Sequence, residues 1–426
     1  MLTKGHGYDE AMLREMDLSQ IEEEEIKTLF EEYVGGYGKQ LLNASQRRYF
    51  ETFQRGLLSD LDRKSIEPIA LEYLGGREVR GFQQFFGRSL LPDTELLVRY
   101  QELLAESISA ADGFVSVDDT GFVKKGSLSA GVARQYCGRM GKTENCQVGV
   151  FLSYASEKGY GLLDRRLYLP QAWFSSENNA RREHSKIPDE VCFQTKNQMA
   201  ADMIRNIHEK GMFTIRWIGC DAAFGCDHKF LRDLPEGICY FAATNRSELI
   251  FLSRPEMNIP TSGKTGRPYK HPRPSFPPVT VGSIASDDSI PWGRRCLAQG
   301  TRGPIYADIK CIRCVSCEST TEFGNYMAPG NDIWLYIRRY ENGDIKYYLS
   351  NSSEATPMET LDRLATLRWS IEQCFEECKS YLGMTHYETR TYIAWHRHML
   401  MVMIAHLFTL RLRLAYKKTL YHHAHG

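Results

Sequence analysis

The chain has 426 residues, 42% hydrophobic and 25% charged, which is typical of a soluble globular protein with about two to four domains. Lys+Arg and Asp+Glu number 53 each, so the total charge does not indicate a nucleic-acid binder. Residues 1–34, with three Lys/Arg and ten Asp/Glu, are too acidic for a secretory signal peptide. Twelve Cys without such a signal favour reduced thiols in a cytosol. The apolar stretch 399–410 is too short to span a bilayer, so we expect no membrane partner.

Residues 1–110 are predicted to form a helical domain behind an acidic N-terminal arm. Apolar residues recur at helical spacing from Tyr49 to Leu61, and Gly75-Gly76 marks a break. Arginines are frequent once the acidic arm has ended, and we interpret the region as a helical DNA-binding domain, although composition alone favours a helical domain with solvated arginines. Residues 389–426 hold six Lys/Arg and no acid, which fits either phosphate contact or a solvated helix end.

Strand patterns begin near residue 111. We predict a buried strand 114–117 ending at Asp118, then strands 146–154 and 161–169 joined by a turn at Lys158-Gly159. A helix 189–210, a strand 213–219 ending at Asp221, a helix 226–234 and a strand 238–243 are expected to follow. This order predicts an α/β fold, a mixed sheet with flanking helices, over 111–245.

The pattern changes again after residue 245. Residues 246–350 are predicted to be a β-rich insertion, with a flexible loop from Pro255 to Pro278 that includes Lys264, Arg267 and Lys270. Strands are expected at 304–315 and 332–349, the latter with a turn at Asn342-Gly343. Residues 351–426 are predicted to complete the core with an amphipathic helix 357–382 and a last helix 392–416.

Three carboxylates are the candidate catalytic residues. Asp118 and Asp221 each follow an apolar strand, and Glu372 lies within the amphipathic helix. Mg²⁺ prefers oxygen ligands and is held by a few carboxylates together with substrate phosphate. Taken one at a time, each Asp is more often a cap or turn residue, so the residues alone leave both interpretations open.

Four motifs carry a resemblance to a known family. They are Asp-Asp-Thr-Gly-Phe-Val-Lys-Lys-Gly (118–126), Glu-Asn-Cys-Gln-Val-Gly-Val-Phe (144–151), Asp-Arg-Arg-Leu-Tyr-Leu-Pro (164–170) and Arg-Trp-Ser-Ile-Glu-Gln-Cys-Phe-Glu-Glu-Cys-Lys-Ser-Tyr-Leu-Gly (368–383). Together they resemble bacterial insertion-sequence transposases of the DDE superfamily. The resemblance implies an RNase H-like catalytic core, two Mg²⁺ or Mn²⁺ ions, and cut-and-paste transposition from terminal inverted repeats. It also implies double-stranded DNA as partner, a homodimer in the DNA complex, and a bacterial cytoplasmic location associated with the nucleoid.

The family's catalytic residues map onto this sequence. The resemblance assigns the metal ligands to Asp118, Asp221 and Glu372, with Asp119 and Glu376 as alternative ligands. Arg368 and Lys379 match the family's basic positions. Arg368 is expected to orient Glu372 or to clamp a phosphate, and Lys379 to contact the DNA backbone; surface ion pairs with Glu372 and Glu376 are the alternative. Where related enzymes have a Tyr three residues before that Arg, this chain has Ala365, so the Tyr contact is in doubt.

Other basic residues and cysteines leave alternatives open. Lys124, Lys125 and Arg134 follow the first catalytic strand and are candidate phosphate contacts. Cys311, Cys314 and Cys317 have metal-like spacing without a close fourth ligand, so buried thiols are the favoured interpretation. Two other functions remain: an inactive or domesticated relative that binds DNA without cutting, and a nuclease that hydrolyses without strand transfer.

Overall fold

The computed structural model describes residues 22–259, 271–300, 303–320 and 326–423. The acidic arm before residue 22 and the loop residues Lys264, Arg267 and Lys270 lie outside this description. The chain divides into two compact units. Among the described residues, the smaller unit contains those within 216–368, and the larger unit contains residues 22–215 together with 369–423. This division by compactness differs from the functional domains predicted above, which stay a prediction.

The secondary-structure elements follow the chain in an α/β order. The α-helices of the described residues are α1 Glu23–Gly35, α2 Ala44–Leu58, α3 Ile66–Tyr73, α4 Val79–Gly87, α5 Asp93–Ile108, α6 Asn179–His184, α7 Lys196–Lys210, α8 Ala222–Gly225, α9 His228–Arg232, α10 Val281–Ala285, α11 Met358–Leu367, α12 Trp369–Ser380 and α13 Tyr392–His423. The strands are β1 Phe114–Val123, β2 Ala133–Cys137, β3 Lys142–Ser156, β4 Gly159–Tyr168, β5 Trp217–Cys220, β6 Cys239–Thr244, β7 Leu249–Phe251, β8 Met257–Asn258, β9 Arg273–Pro274, β10 Val279–Thr280, β11 Gly293–Gly300, β12 Gly303–Thr320, β13 Tyr326–Arg339 and β14 Ile345–Ser350. The predicted class, a mixed α/β sheet with flanking helices and a β-rich insertion, is confirmed.

The N-terminal helices of the larger unit pack around phenylalanines. Phe50, Phe53 and Leu57 recur at helical spacing on α2 and are fully buried. Phe53 contacts Phe86 of α4, with ring centroids 4.5 Å apart. The helical character predicted from this periodicity is therefore confirmed, and its apolar stripe forms part of the core.

The sheet of the larger unit is built on β3, the longest of its four strands. β1 pairs antiparallel with one edge of β3, whereas β2 and β4 pair with successive parts of its other edge. The turn Glu157-Lys158 joins β3 to β4, close to the predicted position. Helix α7 packs against β3 and β4, and α12 packs against β1, β3 and β4.

The first strand is longer than the sequence suggested. We expected it to end at Asp118, but β1 continues to Val123, and Asp118 pairs with Phe151 in mid-strand. The segment Asp118-Asp119-Thr120-Gly121 is rich in turn-forming residues, yet the long β3 offers paired backbone along its whole length. Ladder pairing therefore outweighs local turn preference.

Gly121 is required by a close approach between β1 and β2. A Cβ at this position would lie 2.5 Å from Cys137 Sγ, which is buried. We expect Gly121→Ala to lower the free energy of unfolding by about 1–3 kcal/mol because of this overpacking. Gly126→Ala is the matched control, since no atom lies within 4 Å of its added Cβ. The denaturant concentration at the midpoint of unfolding measures the stability of each variant. Equal midpoints for Gly121→Ala and Gly126→Ala would show that an added Cβ at position 121 is not overpacked.

The smaller unit contains a sheet with strand order β10-β7-β12-β13-β14-β6-β5, and β11 also pairs with β12. β5 and β6 are parallel, and the other pairs of this sheet are antiparallel. The predicted turn at Asn342-Gly343 joins β13 to β14, and Gly343 takes a left-handed φ of 87°. The β-rich character predicted for the insertion is confirmed.

Several element boundaries were wrong. Helix α7 begins at Lys196 and not near 189, because Thr195 and Gln198 form a capping box. The amphipathic stretch 357–382 forms two helices, α11 and α12, separated at Arg368. The backbone of Arg368 stays right-handed helical (φ −54°, ψ −30°), so the helical path continues although the hydrogen-bond pattern changes.

Helix α13 contains a segment, Tyr392–Tyr416, that is long and apolar enough to cross a membrane by length and composition. Most of its apolar window is buried within the chain. Buried polar contacts lie along it: Tyr33 Oη donates to Ile404 O, and Gln54 Nε2 donates to Met401 O. These contacts are those of a core helix.

Candidate active site

Asp118 lies on the face of the sheet that α12 covers. Thr120, two residues along β1 and therefore on the same face, accepts a 2.5 Å hydrogen bond from Lys379 Nζ of α12. Phe151, directly opposite Asp118 in β3, packs edge-on against Phe375 of α12 with centroids 5.3 Å apart. The contacts of Thr120 and Phe151 with α12 thus place this helix over the face of the sheet on which Asp118 lies.

Asp119 lies on the opposite face. Its Oδ2 accepts a hydrogen bond from Lys196 Nζ of α7 at 2.7 Å, and this is also an ion pair. Asp118 Oδ1 accepts the backbone N–H of Asp119 at 2.7 Å. The two neighbouring carboxylates are therefore separated by the alternation of the strand: one faces α12 and the other α7.

Glu372 lies in the first turn of α12 and is exposed. Residues 372, 376 and 379 occupy one stripe of the helix by their i, i+4, i+7 spacing. Lys379 fixes that stripe against β1 through Thr120. Asp118 and the helix stripe that carries Glu372 thus belong to the same side of the larger unit's sheet.

Asp221 belongs to the smaller unit, where it follows β5 directly. Its Oδ1 accepts the backbone N–H groups of Ala223 (2.9 Å) and Phe224 (3.3 Å), so it caps the short helix α8. The prediction that Asp221 stands at the carboxyl end of a buried strand is confirmed. The cap orients the carboxylate at this strand end.

Arg368 and Ala365 also lie in the smaller unit. Arg368 is half-buried and lies close to Tyr348 of β14, where burial raises the pKa of the phenol and the positive charge of Arg368 acts to lower it. Ala365 is buried on α11, and its carbonyl oxygen lies 3.5 Å from Arg338 Nη1. Arg368 lies at the junction between α11 and α12, four residues before Glu372.

The basic residues after the first strand have different surroundings. Lys124 Nζ donates to Tyr387 O (3.1 Å) and lies 3.4 Å from the centre of that ring. Burial lowers the pKa of Lys124 to about 8, against the opposing charge of Glu388. Lys125 is exposed in the following loop, and Arg134 is exposed on β2. Lys125 and Arg134 are therefore the more accessible cations.

A buried hydrogen-bond network around Glu377 of α12 was not predicted from the sequence. Glu377 accepts hydrogen bonds from Tyr160 Oη (2.7 Å) and Arg413 Nη1 (3.1 Å), and pairs with His406 Nε2 at 2.6 Å. Its side chain is 3% exposed. The sequence offered one indication, an acid on the apolar side of an amphipathic helix, since Glu377 lies between the buried Cys374 and Cys378.

The cysteines of β12 sit in apolar surroundings. Cys314 and Cys317 belong to different buried hydrophobic clusters, and burial raises the pKa of their thiols to about 12 and about 11. Over residues 22–259, 271–300, 303–320 and 326–423, no group of three or more His, Cys, Asp or Glu side chains is arranged to hold a metal ion.

Comparison with known proteins adds to this geometry. A curated relative from Microchaete diplosiphon, described as a probable transposase for insertion sequence element IS701, is 29% identical over 181 residues. The match covers 42% of this chain and 44% of that protein, so the chain matches less than half of the relative's length. The resemblance to insertion-sequence transposases is confirmed by this similarity.

Two solved structures show weak likeness. A piggyBac transposase synaptic complex with hairpin DNA is 9% identical, with a TM-score of 0.38 over 93% of this chain and 79% of that one. The NurA nuclease from Sulfolobus solfataricus is 10% identical, with a TM-score of 0.26 over 65% and 80% of the two chains. Neither similarity is close enough to carry an argument about function.

A family profile gives the assignment. The profile described as DDE superfamily endonuclease matches residues 37–304, more than half of the chain. The matched range includes Asp118 and Asp221, whereas Glu372 lies beyond it. The chain belongs to the DDE superfamily endonucleases.

Proposed function

We propose that the chain is a cut-and-paste DNA transposase that binds terminal inverted repeats, cleaves the DNA at their ends and joins the freed 3′-hydroxyl to target DNA. The observation that carries the proposal is the common face of Asp118 and α12, the helix of Glu372, in a DDE superfamily endonuclease. The Microchaete diplosiphon relative supports transposition as the biological role.

Asp118, Asp221 and Glu372 are the proposed metal ligands. Carboxylate oxygens are hard donors that suit Mg²⁺ or Mn²⁺, and such ions keep water and substrate phosphate among their ligands. The donor set therefore fits divalent ions that are bound fully only when DNA is present. Two such ions would activate the attacking oxygen and stabilise the leaving one.

Side chains near Asp118 have positioning and binding roles in this proposal. Lys379 holds α12 against β1 through Thr120 and places a positive charge beside the strand that carries Asp118. That charge favours the DNA backbone at the cut. Lys125 and Arg134, both exposed, are proposed to contact neighbouring phosphates, and Arg368 to do so after exchanging its Tyr348 contact.

The chemistry needs no external energy source. Water attacks a phosphodiester in line, the P–O3′ bond breaks, and a 3′-hydroxyl is left on the element end. That hydroxyl then attacks a target phosphodiester, so one P–O bond forms as another breaks.

We propose that two copies of the chain hold the two element ends together, in the bacterial cytoplasm on nucleoid DNA.

A joining assay tests this function. Purified protein is incubated with a labelled duplex from the DNA that flanks its gene, a supercoiled target plasmid and Mg²⁺, with EDTA as the control. We expect labelled plasmid whose junctions, when sequenced, carry the element's 3′ end. Cleavage without joined products would instead indicate a nuclease, and binding without cleavage in Mg²⁺ or Mn²⁺ would indicate a non-catalytic DNA-binding protein.

A further inference from the structure

An open groove of about 780 Å³ in the larger unit is rich in positive charge. One wall is the polar side of α4 and the residue after it, with Arg80 and Arg88. The other wall contains the end of α6 and its following turn, with Lys186, and the segment around Arg390. We call this surface, defined by Arg80, Arg88, Lys186 and Arg390, the basic groove.

Helix α4 has two chemically distinct sides. Phe82, Phe85 and Phe86 are buried in the core. The opposite side, at i, i+3, i+4 and i+8 spacing, presents Arg80, Gln83, Gln84 and Arg88 to the groove. Arg and Gln are side chains that hydrogen bond phosphates and the base edges of the major groove. Residues 74–78 join α3 to α4, with Gly75 at a left-handed φ of 85° and a 3-10 turn at Gly76–Glu78.

The charge of the groove is not balanced by the protein itself. Glu183 is the one carboxylate among the lining residues. Within the part of the chain that the structure describes, none of the four defining cations forms an ion pair. Elsewhere in the helical region several arginines are paired with carboxylates, as Arg55 is with Glu51 at 3.0 Å and Arg99 with Glu102 at 3.0 Å. An uncompensated cluster of this kind favours an anionic ligand.

Buried polar contacts fix the α4 wall. Arg397 of α13, 2% exposed, donates to the carbonyl oxygens of Phe85 (3.2 Å), Phe86 (3.1 Å) and Ser89 (2.9 Å). Its Nε and Nη2 also bind both carboxylate oxygens of Asp93 at 2.7 and 2.8 Å. The end of α4 that carries Arg88 is therefore held rigidly.

The second wall is fixed in the same way. Ser185 is fully buried, its Oγ donates to Leu128 O at 3.0 Å, and its carbonyl accepts the N–H of Tyr392 at 2.8 Å. Arg390 O accepts the N–H of Ala130 at 2.9 Å. A groove whose two walls are preorganised loses little entropy when it binds a ligand.

Lys186 occupies a position where glycine is the usual residue. Its φ is 51°, in the left-handed region, and it ends α6 with the paired hydrogen bonds Lys186 N–Glu183 O and Ile187 N–Arg182 O. This is the Schellman pattern, in which Gly is favoured at the left-handed residue. A lysine here strains the backbone while placing an exposed charge in the groove.

We propose that the basic groove binds duplex DNA, with α4 against one side of the duplex and Lys186 and Arg390 against a neighbouring phosphate backbone. The inference rests on the proposed function and assigns it a DNA surface. Arg390 also lines a smaller pocket with Lys125, which lies seven residues from Asp118 along the chain. Seven residues span at most about 25 Å, so Lys125 lies no farther from Asp118 than the length of about seven base pairs.

Fluorescence anisotropy with a labelled 40-base-pair duplex of mixed sequence tests the groove. We expect Arg80→Ala/Arg88→Ala to bind about 100-fold more weakly than the wild-type chain at 100 mM salt. The slope of log affinity against log salt should fall by about 1.8. The charge-matched control is Arg254→Ala/Arg294→Ala, which removes two exposed arginines that are paired with Asp332 and Glu341. Its affinity should stay within about threefold of wild type.

Lys186→Gly separates a ligand role from a structural one. Glycine relieves the left-handed strain, so the melting temperature should rise by roughly 1–3 °C. DNA affinity should nevertheless fall about tenfold because a phosphate contact is lost. A variant that gains stability and keeps full DNA affinity would overturn the role of Lys186 in the groove.

The binding experiment distinguishes a wrong assignment of the basic groove from a wrong proposed function. If the wild-type chain binds DNA and the Arg80→Ala/Arg88→Ala variant binds equally with an unchanged salt slope, the groove assignment is overturned and the transposase proposal stands. If the wild-type chain does not bind the duplex at all, both are overturned. Equal loss in the Arg254→Ala/Arg294→Ala control would also overturn the groove, since charge alone would then explain the effect.

Discussion

Asp118→Asn is expected to lower metal-dependent DNA cleavage about 1000-fold, whereas Asp119→Asn should cleave within about threefold of wild type. The two residues are adjacent, but Asp118 faces α12 and Asp119 faces α7, where Lys196 holds it at 2.7 Å. Asn keeps the size of the side chain and removes the charge that binds a divalent ion. Loss of the Asp119–Lys196 pair costs at most about 1 kcal/mol, since both side chains are part-exposed.

The two variants are compared by the rate at which each cleaves a labelled terminal duplex in Mg²⁺ at saturating protein. Equal thermal stability and equal DNA binding of Asp118→Asn and wild type would exclude misfolding as the reason for lost cleavage. The opposite order, an inactive Asp119→Asn with an active Asp118→Asn, would contradict the assignment and make Asp119 the ligand.

Glu377→Ala is expected to destabilise the larger unit by about 3 kcal/mol, because it leaves the half-buried Arg413 and the buried His406 without their shared partner. Glu377 is the common acceptor for Tyr160, His406 and Arg413. Glu376→Ala, one residue earlier and exposed, is the matched control and should change stability by less than about 0.5 kcal/mol. Urea denaturation followed by tryptophan fluorescence measures both. Similar midpoints for the two variants would show that the network contributes nothing.

Glu377 also determines how the stability of the larger unit depends on pH. Burial by itself raises the pKa of Glu377, but hydrogen bonding and charge from His406, with the charge of Arg413, outweigh it and lower the pKa to about 2. An unfolded Glu titrates near 4.3. The stabilisation is therefore complete above about pH 4.5 and is lost as the pH falls toward 2. In the Glu377→Ala variant, the free energy of unfolding should change less between about pH 4.5 and pH 2 than it does in the wild-type chain. The same pH dependence in both proteins would contradict the low pKa of Glu377.

Much of the fold follows from local sequence signals. The β3–β4 hairpin is bounded by a polar turn, and Asn342-Gly343 supplies the positive φ that the β13–β14 connection needs. Asp221 was placed correctly because a short apolar strand before it and a capping position after it are both local features. The helical periodicity of α2 predicted its buried face for the same reason.

The faces of Asp118 and Asp119 were not predictable, because they depend on how far β1 continues beside β3. Turn-forming residues suggested a strand end, and only pairing with a distant segment extends the strand through them. Glu377 has its partners on β4 and α13, far along the chain. The basic groove likewise joins residues from 80 to 390, so its charge cluster exists only in the folded chain.

Binding of Mn²⁺, measured by the electron paramagnetic resonance of free Mn²⁺ in the presence of duplex DNA, tests whether the three carboxylates hold the divalent ions. We expect Asp118→Ala, Asp221→Ala and Glu372→Ala each to weaken Mn²⁺ binding by more than about 100-fold. Asp119→Ala and Glu376→Ala should bind Mn²⁺ like the wild-type chain. Unchanged Mn²⁺ affinity in any of the first three variants would contradict that residue's assignment as a metal ligand.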